Sequence, residues 1–258
     1  MSAYGYIPDL PDNRDSIFNL EKKVLRVDQA PLGPLNRVLP NEALNQLTIG
    51  SCTAHGIDGA LLYEEHLQGQ PPTARSRLFI YYQERLREGT VYSDSGAQIR
   101  TGIKVVASDG APPESDWPYH VSKFAIRPPD AAYTAAKSHR ALTYHRVLLD
   151  GIGAALRTAL VQRPVVMGFA VPEYFESLSW DPANQPLPLP VGERFIGGHC
   201  TLAYDFDWTC TRFPFPVVKI RNSWGRKWGN NGDFWMDARW FAAGANLVSD
   251  LWIISKTS

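Results

Sequence analysis

From Cys52 onward the chain shows two kinds of hydrophobic pattern. Apolar residues at Ala54, Ile57, Ala60, Leu61, Leu62 and Leu67 recur at helical spacing and predict a buried helix over 51–68. The stretch SRLFIYYQERLRE (76–88) predicts a second, amphipathic helix. AQIRTGIKVVAS (97–108) predicts a third, with Ser95-Gly96 as its start and Asp109-Gly110 as its stop. A short Ala-rich helix over 128–139 follows Pro128-Pro129. Near residue 140 the pattern changes to alternation. RALTYHRVLL, RPVVMGFAV, GGHCTLAYDFDW, FPVVKIRNSWG, GDFWMDARW and DLWIIS read as aromatic-rich strands separated by Gly and Pro turns. One more helix, over 151–162, rests on Ile152, Ala155, Leu156, Ala159 and Leu160. A helical front followed by a β-rich back predicts an α+β fold, with residues 39–139 mainly helical and 140–258 mainly strand.

Residues 1–38 follow neither pattern. YGYIPDLPDNRD and APLGPLNRVLP read as extended, turn-punctuated chain, and SIFNLEKKVLRV between them has one or two turns of weak helical character. The segment carries Tyr4, Tyr6, Ile7, Leu10, Ile17, Phe18 and Leu20, too many apolar groups for a free tail, so it is expected to lie on the body of the protein.

Composition narrows the partners. The 258-residue chain has zero formal net charge, which gives no reason to expect nucleic acid or an anionic membrane, and Lys22-Lys23 reads as solvated surface. Hydrophobic residues at 44% with eight tryptophans are enough for a sizeable core. No apolar run approaches the roughly 20 residues of a membrane span. The N-terminal 30 residues hold no apolar signal-like run, so a soluble cytoplasmic protein is expected, with export by a signal-independent route left open. Three cysteines are too few for a disulfide scaffold, and the strand leading away from Cys200 disfavours a Cys200–Cys210 bridge. No cofactor is implied. A metal site through Cys52 and His55 lacks further ligands at suitable spacing. Nothing signals an oligomer, and a monomer is expected.

The chemistry centres on Gly50-Ser51-Cys52, which delivers a thiol to the first turn of the first helix. A helix N-terminus carries partial positive charge and unpaired N–H groups, both of which favour a thiolate. Gln46, six residues upstream, offers a side-chain amide near the same point. A nucleophilic cysteine also needs a base and a group to orient that base. His55, His66, His139 and His145 sit among polar neighbours and read as surface or internally satisfied histidines; His120 follows a Trp-Pro-Tyr turn and reads as structural. His199 follows Gly197-Gly198, where missing side chains admit another backbone or a substrate. Asn222 ends the VVKIR strand. If the two strands are antiparallel neighbours, Asn222 meets His199, and its carbonyl can accept from one ring nitrogen while the other faces Cys52. Trp224 would shield that bond from water, and a hydrogen bond in a drier site is electrostatically stronger.

Gln46 with Cys52, Gly197-Gly198-His199, Asn222-Ser223-Trp224-Gly225 and the following WGNNG resemble the papain-type cysteine peptidases in order and spacing, over about residues 40–256. SRLFIYYQERLREG, DSGAQIRTGIKVVASDGAPPESDWPY and the N-terminal YGYIPDLPDNRD resemble that family's bacterial branch. The resemblance implies a helical left domain and a β-barrel right domain with a cleft between them. It implies a peptide or protein substrate, attack by Cys52, proton transfer by His199, orientation by Asn222 and an oxyanion hole from Gln46 and the Cys52 N–H. Ser95-Gly96 aligns with the loop that binds substrate backbone. Ile99, Gly168, Gly198 and Cys200 would line the S2 pocket, and Trp224 the other side of the cleft, which points to an apolar P2 residue. Several family features differ: Thr53 stands where Trp usually follows the cysteine, Leu47-Thr48-Ile49 replaces a glycine-cysteine run, Ala97 replaces a common glycine, and the paired disulfide cysteines are missing, which suits a reducing compartment. Residues 1–38 are too short for that family's inhibitory prodomain. They are expected to dock on the cleft in cis as a lid or short cleavable pro-segment, or else only to buttress the right-hand domain. The competing functions are acyl transfer of the transglutaminase kind and a latent peptidase-fold binding protein.

Overall fold

Helix α1, Cys52–Leu67, is buried almost all round and is the rod on which the two halves of the chain meet. The computed structural model describes residues 4–18, 30–150, 153–177 and 179–257. Most of the weakly helical stretch over 16–27, including Leu20 and Lys22-Lys23, lies outside the described residues, as does Ile152. Helix α2, Arg77–Glu88, is capped by Ser76, whose Oγ accepts from the Phe79 N–H, and stops at Gly89 in the left-handed conformation (φ 74°). Helix α3, Ile99–Ser108, begins later than its pattern predicts. Ala97 and Gln98 instead form strand β2, which pairs in parallel with strand β1, Tyr6–Ile7. A two-residue extended stretch needs a partner to stay extended, and that partner comes from about 90 residues upstream. Helix α4 is confined to Asp130–Ala136, and helix α5 to Ala154–Gln162.

Six strands form one antiparallel sheet: β3 Ala141–Val147, β4 Val165–Pro172, β5 Phe195–Asp207, β6 Val217–Arg221, β7 Asp233–Asp237 and β8 Val248–Thr257. Their order is β3-β8-β4-β5-β6-β7. Because side chains alternate across a sheet, its strands feed two apolar clusters. Ile57, Leu61, Leu78, Ile80 and Ile103 of the helices join Val166, Cys200, Leu202 and Trp252 on one side. Leu156 and Leu160 of α5 join Phe169, Phe206, Phe234 and Trp240 on the other. Strand β5 starts at Phe195, so His199 lies inside it rather than at its head, with Phe169 of β4 as register partner.

The N-terminal segment lies on the body. Besides the β1–β2 ladder, the N–H of Phe18 donates to the Arg146 carbonyl and that of Arg146 to Ser16. Past residue 30 the chain is tied to the sheet side, with Leu35 N–H donating to Asp205 Oδ1 at 2.8 Å and Arg37 reaching the Tyr204 carbonyl at 3.0 Å.

Candidate active site

Cys52 is the first residue of α1, and its N-cap, Ser51, does not cap the helix. The Ser51 hydroxyl is engaged with Tyr119 Oη at 2.6 Å instead. The first-turn N–H groups thus keep the partial positive charge of the helix end directed at the thiol. The loop before it is held by an Asn45 side-chain turn onto the Leu47 N–H (2.8 Å), with Leu47 at φ 57°, and by Gly50 N–H donating to Asp94 Oδ1 (2.9 Å).

Strands β5 and β6 bring the imidazole and the amide together. His199 Nε2 lies 2.8 Å from Asn222 Oδ1. His199 Nδ1 is buried and has no hydrogen-bond partner among the described residues. The next residue, Cys200, donates its backbone N–H to Cys52 Sγ at 3.4 Å, which sets the thiol beside this part of strand β5. Trp224 lies over His199 with ring centroids 5.3 Å apart and a 33° tilt, and Phe169 meets the imidazole edge at 5.8 Å.

Gln46 is fully buried and clamped by the strand end that carries Asn222. Ser223 Oγ donates to Gln46 Oε1 at 2.5 Å, and Gln46 N–H donates to the Ser223 carbonyl at 2.8 Å. Gln46 Nε2 donates to the Ile49 carbonyl at 3.0 Å, and Tyr119 Oη donates to the Gln46 carbonyl at 2.8 Å. Ser223 N–H in turn donates to Asn222 Oδ1 at 2.8 Å, so one serine aligns both amides.

Cys52 and His199 are each 0% exposed. Burial pushes the thiol up to about 11; N–H groups of Cys200, Gly5 and Thr53 offset part of that rise, and Glu84 adds to it. Burial likewise drives His199 down to about 4, against the Asn222 hydrogen bond. Loss of water disfavours both charged forms, so the covered pair rests as thiol and neutral imidazole. Glu84 is itself buried, accepts from Thr53 Oγ1 at 2.8 Å, and is held well toward its neutral form by burial.

The cover is residues 4–6. A Cβ on Gly5 would fall 1.7 Å from the Gly50 carbonyl oxygen, and one on Gly96 2.1 Å from the Gly5 oxygen. Gly5 accepts from the Ala97 N–H at 2.7 Å. Tyr4 stands edge-on to His199 (5.8 Å) and tilted against Trp224 (6.1 Å). Tyr6 lies against Gly168 and Gly198, in one apolar cluster with Ile99 and Cys200. The structure thus brings Gly96, Ile99, Gly168, Gly198, Cys200 and Trp224 around this segment. Ser95 is turned elsewhere, onto Thr90 Oγ1 and the Gly96 carbonyl. The segment is held downstream by an ionic cluster. Asp15 receives Arg100 Nε (2.9 Å) and Nη2 (2.7 Å) and Arg146 Nη1 (2.9 Å). Arg146 Nη2 reaches Asp250 Oδ1 (2.6 Å), whose Oδ2 accepts from Tyr6 Oη (2.5 Å) and Asp9 N–H (2.7 Å). Asp9 accepts from Arg100 N–H and Trp252 Nε1.

No protein-family profile matches the chain. A mimivirus protein described as an uncharacterized peptidase C1-like protein, L477, is 35% identical over 277 residues, which span 99% of this chain and 87% of that protein. The chain belongs to the papain-like cysteine peptidases. Xylellain, a cysteine protease from Xylella fastidiosa, is 34% identical with a TM-score of 0.89, covering 99% of this chain and 96% of its own. The Carica candamarcensis protease CMS1MS2 shares the fold at 20% identity and a TM-score of 0.63, over 84% of this chain and 94% of its own.

This papain-like peptidase contains site-supporting residues that its sequence pattern does not single out. Ser223 sits inside the Asn-Ser-Trp-Gly motif, yet its clamp on Gln46 shows only when the two segments, 177 positions apart, meet. Tyr119 lies in irregular chain after the turn at 114–116 and reaches both Ser51 and Gln46. Asp250 is marked by a positive φ of 54°, a backbone property with no sequence signature at an aspartate. Cys52, Cys200 and Cys210 are all free thiols, and His55 is satisfied by the Ser51 carbonyl (2.9 Å) and Arg77 (3.1 Å).

Proposed function

We propose that this papain-like peptidase hydrolyses peptide bonds through a Cys52–His199 pair and an acyl-enzyme, and that residues 4–18 keep it latent. The observation that supports this reading is the His199 Nε2 contact with Asn222 Oδ1, which leaves Nδ1 as the nitrogen for the thiol. Nδ1 takes the Sγ proton as Sγ bonds to the substrate carbonyl carbon. The carbonyl π pair becomes an oxyanion that accepts from the Cys52 N–H and the Gln46 amide. Collapse breaks the C–N bond, and Nδ1 returns the proton to the leaving amine. Water then attacks the thioester, giving its proton to Nδ1; the C–S bond breaks, the carboxylic acid leaves and the thiol is restored. Asn222 holds the ring plane throughout, and Trp224 keeps water off the Nε2 bond.

The direction of residues 4–7 explains why they are not themselves substrate. His199 must reach the leaving nitrogen, so the leaving-group side is that of His199 and Trp224, where Tyr4 sits. Tyr6 lies on the acyl side, and the chain runs from the former to the latter. A peptide substrate runs the opposite way, because its acyl part is N-terminal to the scissile bond. The segment fills the cleft without presenting a carbonyl in productive polarity.

The test is labelling by a cysteine-directed epoxide. Cys52 in the full chain is expected to react slowly. The chain begun at Leu39 is expected to react quickly and at Cys52 alone, with the reaction abolished by His199→Ala. Equal slow labelling of Cys52 and the exposed Cys210 in the shortened chain would reject the peptidase mechanism.

A further inference from the structure

We infer that Asp250, at the base of the pocket filled by Tyr6, makes this peptidase selective for substrates with tyrosine at P2. The inference rests on the peptidase reading above and names the substrate class of that site.

The pocket is shaped for a ring and ends in an acceptor. A Cβ added at Gly168 would lie 2.1 Å from Tyr6 Cζ, and one at Gly198 would lie 2.9 Å from Tyr6 Cδ1. Both glycines are therefore required by the aromatic ring between the walls. The phenol oxygen meets Asp250 Oδ2 and Ser249 Oγ, each at 2.5 Å. Asp250 is 3% exposed. Its other oxygen, Oδ1, is held by Arg146 at 2.6 Å, which aims Oδ2 into the pocket. The walls are apolar, as Ile99 and Cys200 imply, but the base is not, which replaces the simple apolar P2 preference with a phenol-specific one.

The segment and a substrate side chain compete for the same acceptor. Both donors to Asp250 Oδ2, Tyr6 Oη and Asp9 N–H, belong to the segment. When it leaves, a P2 tyrosine restores one of them. A P2 phenylalanine fills the same walls and leaves a buried carboxylate oxygen without it, a mismatch that polar sites reject strongly. A P2 lysine or arginine meets the wrong charge balance. With the segment in place, Asp9, Asp15 and Asp250 face Arg100 and Arg146. Without it, Asp250 alone faces the two guanidiniums, so the pocket base becomes net positive. A neutral donor of tyrosine size fits both the shape and the charge.

The test is kcat/KM for peptides identical except at P2, carrying Tyr, Phe or Lys, with the full chain and with the full chain bearing Asp15→Ala. Tyr is expected to exceed Phe by about tenfold to a hundredfold, and Lys to fall below Phe. In Asp250→Ala the Tyr-to-Phe ratio is expected to fall to about one. The ratio in the unaltered pocket decides the matter even where Asp250→Ala does not fold. Equal rates for Tyr and Phe, or Lys above Tyr, overturn the inference while leaving the peptidase reading intact. Cleavage of none of the three, with Cys52 still labelled by the epoxide, overturns the peptidase reading and the inference together.

Discussion

Replacing Asp15 by alanine should expose Cys52 without touching any residue of the cleft. Asp15 belongs to the covering segment and receives both Arg100 and Arg146, and the Asp15 and Arg100 side chains are 4% and 7% exposed. Removing one partner of a buried ion pair costs about 3–5 kcal/mol, because the remaining charge stays desolvated. Here that penalty falls on the docked state, since Asp15 no longer covers the two arginines once the segment lifts, while Arg146 keeps its pair with Asp250 in both states. At about 1.4 kcal/mol per factor of ten, the ratio of open to covered molecules rises by roughly two to three and a half orders of magnitude. The second-order rate of Cys52 alkylation by a small haloacetamide reads that ratio until it reaches the value for a chain begun at Leu39. Asp12→Ala is the matched control. Asp12 pairs with Arg14, which is 86% exposed, and at 3.6 Å with Lys104 of α3, which is 42% exposed; such solvent-facing pairs contribute at most about 1 kcal/mol to docking, so the rate should stay within about fivefold. If alkylation is as fast in the unaltered chain as in Asp15→Ala and in the shortened chain, the segment does not gate the thiol and the latency argument fails.

Burial and the neighbouring Asp250 charge raise Asp9 to about 6, against its contacts with Arg100 and Trp252. Burial also pushes Asp15 upward, but Arg100 and Arg146 outweigh it and lower the group overall. A raised docked-state pKa makes the Asp9 contribution to docking complete below its ordinary value near 4 and lost as pH rises through about 6; a lowered one makes the Asp15 contribution complete above about 4 and lost on further acidification. Docking should therefore be tightest near pH 4 and weaken as pH rises toward 6. The alkylation rate of the full chain, divided by that of the shortened chain, should rise from pH 5 to 7, and Asp9→Asn should flatten that rise. Ser223→Ala should lower kcat about fivefold with little change in KM, the effect of losing one neutral hydrogen bond that positions Gln46; an unchanged kcat would show that Gln46 needs no clamp. Gly198→Ala places a Cβ 2.5 Å from the Tyr6 carbonyl oxygen, so the full chain should alkylate faster than the unaltered one. An unchanged rate would mean that strand β5 can yield there.

The parts of this molecule that were legible in its sequence are those whose information is local. Helix α1 announces itself by apolar spacing, and Gly197-Gly198-His199 and Asn222-Ser223-Trp224-Gly225 are contiguous. The late start of α3 could not be read, because Ala97-Gln98 is extended only through its ladder with Tyr6-Ile7. The apolar content of residues 4–18 signalled docking, but not its mode. The Tyr6–Asp250 contact joins positions 244 apart and Arg100–Asp15 positions 85 apart, and each residue alone looks like an ordinary surface charge or aromatic. Asp250 illustrates the limit most sharply: DLWIIS reads as a strand, and nothing in that pattern marks the left-handed backbone that turns the buried carboxylate under the pocket.

Gly5 passes the Cys52 thiol on the narrowest residue a chain can offer. Any other amino acid at that position brings a Cβ to within 1.7 Å of the Gly50 carbonyl oxygen, a backbone atom that cannot swing aside. On the latency proposed above, a single substitution at the fifth position is enough to lift the cover, so that silence depends on one residue having no side chain at all.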